Sequence, residues 1–392
     1  ILHPERKNRL QPPSIRHEGK HGLSPNLLHD DVARLDFQMT SNFFVSQQIL
    51  PAAKLSWKHK QQPKFFKTYN RLPKNRKEVR NFMKDDYLWK IWSSLKRNNQ
   101  EMSYYNRGEI IQREEIKINE KYKNQKKKLG NIFLNSNLQI PDYITKIDIH
   151  CMPNGYNSDQ GKGIFAGSNY DTASLYLATG GELGKYSDGA GWANIAFIKK
   201  YFPNFIPKKI LDLGCTIGHS TLPLKIFWPN SDIYAIDACA PVLRYAFSRS
   251  NYLNTAINYY QKNAEATGFK SNTFDLITSS MFLHEIPQKN LKSIGKEIFR
   301  LLKPNGIMLH NEQPQYHGLK ADEQFFREWD TWYNNEPMRC AFRDMDLVRW
   351  AENSGFKKQN IVQKIAPGAS YIKEKIRTFG DGTWFIFSSL KN

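Results

Sequence analysis

The stretch "LDLGCTIGHS", residues 211–220, lies between the basic run "PNFIPKKI" and the apolar, proline-containing run "TLPLKIFWPN". It reads as a strand feeding a glycine turn at a helix start, a place where ligands are commonly held. A P-loop there requires GxxxxGK[ST], and no Lys-Ser or Lys-Thr follows Gly218, which excludes a nucleoside triphosphate site of that type. A dinucleotide turn requires GxGxxG, but counting from Gly214 the later glycine positions fall to Thr216 and His219, so a pyrophosphate is excluded as well. What is left is D-x-G-x-x-x-G, Asp212, Gly214 and Gly218. A second acid, Asp237, closes the next strand 23 residues after Gly214.

Outward from this turn, strands alternate with helices. Strands are expected at 209–213, 232–236, 256–261, 274–278, 306–311, 359–365 and 383–389. Between them the clearest helix is 288–303, with Leu291, Ile294, Ile298 and Leu301 on one face and Pro304-Asn305-Gly306 as its stop; a last helix, 344–354, ends at Gly355. This alternation implies βαβ units, with a ligand at the carboxyl ends of the strands.

From 209 to 311, and less closely from 343 to 390, the chain resembles the class I S-adenosylmethionine-dependent methyltransferases. Besides the glycine turn, "NAEA" ending at Ala266, "FDLITSSMFLHEIP" at 274–287 and "LLKPNGIML" at 301–309 resemble motifs of that family. The resemblance implies a Rossmann-like, doubly wound α/β fold with a mostly parallel seven-stranded sheet, and S-adenosyl-L-methionine as cofactor. It implies a cofactor site from Asp212, Gly214, Cys215, Thr216, Gly218, Asp237, Ala238, Asn263, Ala264, Glu265 and Ser279. The chemistry agrees: the ligand carries no phosphates, glycines would let the backbone approach it, Asp212 would help position its amino-acid end, and Asp237 has two oxygens for two ribose hydroxyls.

Methyl transfer is an in-line displacement dominated by alignment of two reactants, so few residues need be catalytic. His284 and Glu285, just after the fourth strand of that family's core, are the candidates for a general base, with His310 and Glu312 behind them. The segment Ser279-Ser280-Met281-Phe282 lacks the proline-containing motif of amino-methylating nucleic-acid enzymes. No cysteine stands where the cytosine C5 enzymes need one, and acidic metal ligands of the catechol type are missing. "HEIP" is similar to the small-molecule branch, including quinone-biosynthesis enzymes. Tyr170, Tyr186, Trp192, His310, Trp329 and Trp332 are the candidate acceptor-binding residues, the last two in an aromatic insertion at 312–342 expected to cover the substrate. "DIHCMP", with Asp148, His150 and Cys151, is read as no metal site, because adjacent ligands on a strand alternate faces.

Residues 1–140 are expected to form a mainly helical, basic extension, followed by a methyltransferase domain at 141–392 with its core at 205–311. Residues 1–75 read as irregular or loosely helical cover. A helix carrying Val79, Met83, Leu88, Ile91, Trp92 and Leu95 is expected next, then a second with Ile110, Ile111, Ile116 and Tyr122 ending at "KKKLGN". "YITKIDIHCMP" reads as a short strand or extended entry, and the glycine-rich stretch 155–192 as loops and short helices. The net charge of +20 is concentrated at the N-terminal end, +14 falling in residues 1–150. A stripe such as "WKHKQQPKFFKTYNRLPKNRKEVR", with aromatic platforms among its lysines, could dock nucleic acid, but a small-molecule acceptor is favoured. Four scattered cysteines without a CxxC pair argue against a zinc site or disulfide framework and for a cytoplasmic setting. No signal-peptide pattern or membrane-length apolar run is read, and a homodimer through the N-terminal helices is allowed.

Overall fold

The computed structural model describes residues 14–126, 128–158 and 163–392. Part of the glycine-rich stretch, 159–162, lies outside the described residues. Eight strands form one mixed sheet: β1 Gly130–Phe133, β2 Lys209–Leu213, β3 Asp232–Asp237, β4 Ile257–Gln261, β5 Phe274–Ser280, β6 Leu302–Glu312, β7 Ile361–Ile372 and β8 Lys375–Leu390. Their order is β1-β4-β3-β2-β5-β6-β8-β7. The pairs from β1 to β6 are parallel, and β8 runs antiparallel to both its neighbours.

The sheet thus has one strand more than the seven expected. The extra strand, β1, lies where "KKKLGN" was read as a helix end. Gly130 makes it possible: with φ +75° it lies against the β4 backbone, and a Cβ there would sit 2.1 Å from the Ile257 carbonyl oxygen. The seven expected strands are present, but β7 and β8 extend well past 359–365 and 383–389 as a hairpin turning at Lys373 and Glu374, both at positive φ. The hairpin carries Tyr371 onto Trp192, stacked at 4.4 Å, on the helix Gly189–Tyr201.

Apolar side chains cover both faces of the sheet. One core contains Ile210, Ala235, Leu276 and Leu309 beneath the helices Gly189–Tyr201, Thr221–Phe227 and Ala240–Tyr252. The other contains Leu211, Ile236, Ile277 and Met308 beneath Gln288–Leu301 and Leu347–Ser354. Alternate strand residues feed opposite cores, as a doubly wound sheet requires.

Residues 29–69 are more regular than expected. Helix runs almost without a break from His29 to Tyr69, with π-helical turns at Val45–Ile49 and Trp57–Gln61. Each precedes a proline, Pro51 or Pro63, in the first turn of the following helix. Proline lacks an N–H, and the widened turn lets the chain pass it without stopping the helix. Beyond them, one 37-residue helix spans Tyr87–Lys123 instead of two shorter ones. The break falls earlier, where the Asp86 carboxylate accepts the N–H groups of Leu88 and Trp89 and so starts the long helix. Residues 143–153 are short helical turns, Asp142–Thr145 and Ile149–Cys151, with no strand among them.

Candidate functional site

The carboxyl ends of β2 to β5 open onto a cavity of about 870 Å³, counting space open to solvent. Gly214 and Thr216 reach it from the turn after β2, Asp237 and Ala238 from the end of β3, and Asn263 and Ala264 from the turn after β4. Ser280, Met281 and Glu285 come from β5 and the turn behind it, while Tyr143, Tyr156 and Tyr170 close the other side. Gly214, Thr216 and Met281 all adopt positive φ at this rim. Left-handed backbone at two non-glycine residues is strain of the kind that collects at binding sites.

Asp237 is the carboxylate that closes β3 at this cradle. One carboxylate oxygen accepts the Thr216 N–H at 3.0 Å and the other the Cys239 N–H at 2.9 Å. Each oxygen keeps a lone pair for a further donor, which suits a vicinal diol. Burial pushes its pKa up to about 6, against the lowering effect of those backbone N–H groups.

Other expected cofactor residues lie behind the cavity. Asp212 is buried under the turn and accepts the Thr221 hydroxyl; burial raises its pKa to about 7. It positions the turn against the next helix and does not line the cavity. Cys215 is in the core, its N–H donating to the Ile236 carbonyl. Gly214 and Gly218 are required by their positive φ and by protein packing: a Cβ would meet the Phe282 ring at 2.3 Å or the Tyr259 hydroxyl at 2.8 Å. Gly218 does not line the cavity. Glu265 accepts Tyr143 Oη and Asn290 Nδ2 at the periphery. Ser279 points to the opposite face of β5 from Ser280, where its hydroxyl meets His310 Nδ1 at 2.7 Å. Of the two serines, Ser280 is the one that lines the cavity.

A second cavity, about 860 Å³ by the same measure, shares Tyr170 with the first. Its walls come from the long helix (Lys96, Asn99), from His150, and from the insertion (Asp330, Glu336, Arg339). Between the two cavities, Glu285 Oε1 accepts the Tyr156 hydroxyl at 3.0 Å and lies 3.1 Å from His150 Nε2. The other His150 nitrogen is 3.2 Å from Glu336. Burial disfavours a charged His150, but Glu336 and Glu285 outweigh it and lift its pKa to about 10. His150, at φ +55°, is therefore a cation held between two carboxylates.

His284 is not a free base. It is fully buried, with Nδ1 2.6 Å from Glu312 and Nε2 3.7 Å from Glu336. Burial works against its proton, but the Glu312 carboxylate prevails and the pKa lies above the ordinary value. Glu312 also accepts the N–H groups of Phe282 and Leu283, so the pair holds the turn that presents Glu285. Glu336 is pushed by burial toward protonation, but Arg339, His150 and His284 overcome this and hold it well below the usual carboxylate range. Burial raises the pKa values of Tyr156 and Tyr170, leaving both as neutral hydroxyls.

Of the candidate acceptor-binding residues, Tyr170 alone reaches either cavity. Trp192 is core, donating to Asp188. His310 is buried and neutral, its pKa lowered by burial to about 3. Tyr186 borders a separate small cleft beside His21 and Arg249. Trp329 packs against Trp92, and Trp332 is exposed beneath the Arg80 guanidinium at 4.4 Å. Phe325, Phe326, Trp329 and Tyr333 of the insertion pack on the N-terminal helices, as in the contact of Trp89 with Phe325 at 4.4 Å; its Asp330, Glu336 and Arg339 line the second cavity. Lys96, Asn99, Glu336 and Arg339 had no signal in the sequence. His150 was noticed, but only as a metal ligand to be rejected. No group of three or more His, Cys, Asp or Glu side chains suited to a metal ion occurs among the described residues.

A crossover sheet with a strand-ending acid and a phosphate-free glycine turn defines a nucleoside-binding α/β enzyme. Residues 210–306 match the methyltransferase domain family. A tRNA N(3)-methylcytidine methyltransferase of Schizosaccharomyces pombe is 25% identical over 197 residues, 46% of this chain and 78% of that protein. A demethylmenaquinone methyltransferase of Lactiplantibacillus plantarum is 31% identical over 122 residues, 30% of this chain and 51% of that protein. A malonyl-[acyl-carrier protein] O-methyltransferase of Xylella fastidiosa is 28% identical, and the chain spans only 36% of its length. Residues 210–306 therefore form a methyltransferase domain of the class I S-adenosylmethionine-dependent type, and S-adenosylmethionine is the cofactor of that domain. The Asp237 cradle fits that group. When bound, S-adenosylmethionine supplies an electrophilic methyl carried on a sulfonium.

Proposed function

We propose that the protein transfers the methyl group of S-adenosylmethionine to a small-molecule acceptor. The observation that carries this reading is the second cavity, which shares Tyr170 with the cofactor cavity and is lined by the long helix, His150 and the insertion. Asp237 and the turns at 214–216 and 263–264 hold the cofactor, and residues 1–140 act as a cap over the domain at 141–392. Glu285 receives the acceptor's proton: its Oε1 is occupied by Tyr156 and His150, while Oε2 takes no hydrogen bond among the described residues. His284 is a positioning residue. Four free cysteines, and no helix long and apolar enough to cross a membrane among the described residues, support a cytoplasmic setting.

A second reading, methylation of RNA, is favoured by the tRNA-acting relative and by an exposed lysine stripe, Lys58, Lys60, Lys64 and Lys67, beside exposed Phe66 and Tyr69. One experiment separates them. The protein is incubated with methyl-labelled S-adenosylmethionine and the small-molecule and RNA fractions of a cell extract. Label is expected in the small-molecule fraction, falling at least tenfold for Glu285→Gln. Label confined to RNA would reverse the assignment.

A further inference from the structure

The second cavity holds a cation without a counter-ion. Lys96 is partly buried on the long helix, and its one hydrogen bond among the described residues is to Asn42 Oδ1 at 2.6 Å. An ammonium has three donors, so two are left over. One helical turn on, at the i+3 position that shares its face, Asn99 is buried with Nδ2 unpartnered, while its Oδ1 already accepts from Ser41. The carboxylates of the same cavity are committed elsewhere. Glu336 is engaged by His150, His284 and Arg339, and Asp330, which reaches Lys96 only through its field, pairs with Arg339 at 3.2 Å. On the long helix, the Lys96 ammonium and the Asn99 amide nitrogen thus have donors to spare, and no carboxylate of the cavity is free to meet them.

The same cavity also has an apolar part to its lining. Met152, Leu175, Leu177 and Ala178 contribute it, together with the Tyr170 ring shared with the cofactor cavity. A ligand matched to both kinds of lining has an anionic end and an apolar body. Burying Lys96 against a neutral ligand would leave its charge uncompensated, which is costly, and burial already pulls its proton affinity down.

We propose that the methyl acceptor is a small carboxylic acid with an apolar body, its carboxylate bound by Lys96 and Asn99. This rests on the small-molecule reading above and names its substrate class. Calorimetry on the full chain tests it with sodium benzoate and sodium hexanoate as probes, benzamide and hexanamide as their neutral counterparts, and inorganic phosphate as the alternative anion. The acids are expected to bind at least tenfold more tightly than the amides. Lys96→Met is expected to erase that preference and Lys96→Arg to keep it, both with wild-type affinity for S-adenosylhomocysteine. Equal or absent binding of acid and amide, or a preference that survives Lys96→Met, overturns the proposal. So does tighter binding of phosphate than of either acid, which would indicate a nucleic-acid backbone. S-adenosylhomocysteine is titrated separately, and its failure to bind would overturn the methyltransferase reading on its own.

Discussion

The two cavities are built by different means, although Tyr170 belongs to both. The cofactor side is made of turns that immediately follow strands: Gly214 after β2, Asp237 at the end of β3, Asn263 after β4. Each is set by its neighbours in sequence. The second cavity, the proposed acceptor side, is made of charges that meet only in the folded chain, such as His150 with Glu336 or Lys96 with the insertion's Asp330. Local hydrogen bonds specify the first, and long-range ion pairs specify the second. Mutations should therefore affect affinity on one side and stability on the other.

The largest effect is expected at Glu336. Removing this carboxylate by Glu336→Ala takes away the buried counter-charge that His150, His284 and Arg339 share. Breaking a buried pair of this kind costs about 3–5 kcal/mol. Denaturant unfolding should show that loss, with a smaller one for Glu336→Gln. A loss under 1 kcal/mol would mean that the network contributes little to holding the acceptor side.

The same contrast explains what could be read from the sequence. β2 to β6 and the loops at their ends were legible because apolar runs, a strand-ending acid and a glycine turn are all local patterns. β1 was not, because four residues carry no periodicity and the strand is defined by its partner Ile257–Tyr260. The long helix was divided at the wrong place because Asp86 as N-cap outweighs the polar run at 97–107. Ser279 was named where Ser280 lines the cavity, because strand alternation leaves the face open until a core is known. On the acceptor side, a lysine at 96 and a glutamate at 336 look like ordinary surface charges until the insertion folds against the helices.

A middling effect, on affinity, is expected at Asp237. Its folded pKa of about 6 lies above the ordinary 3.8, so the folded chain holds this proton to higher pH than the unfolded chain does. Its contribution to stability is thus fully present below about pH 3.8 and is lost as pH rises through about 6. Cofactor binding runs the other way, because a diol donates to the ionised form. S-adenosylhomocysteine affinity should be roughly tenfold weaker at pH 5 than at pH 7.5, the change following from a group about ten per cent ionised one unit below its pKa. Asp237→Ala should weaken binding by more than tenfold at pH 7.5 and flatten the pH dependence. Calorimetry across that range checks both, and an unchanged affinity in the variant would remove Asp237 from the ribose role.

The smallest effect separates aromatic residues that line a site from those that merely lie near one. Trp332 belongs to an insertion expected to cover the substrate, yet it is exposed and touches Arg80 through a cation–π contact at 4.4 Å. Arg80 keeps its ion pair with Glu328 when the indole is removed. Such an exposed contact contributes about 0.5–1 kcal/mol, and nothing connects it to either cavity. Trp332→Ala should therefore lower unfolding free energy by no more than that and leave both S-adenosylhomocysteine affinity and methyl transfer at wild-type levels. A tenfold loss of transfer with cofactor affinity intact would return Trp332 to the acceptor site. It would also show that the insertion binds substrate through its aromatic residues as well as the charged ones that face the cavity.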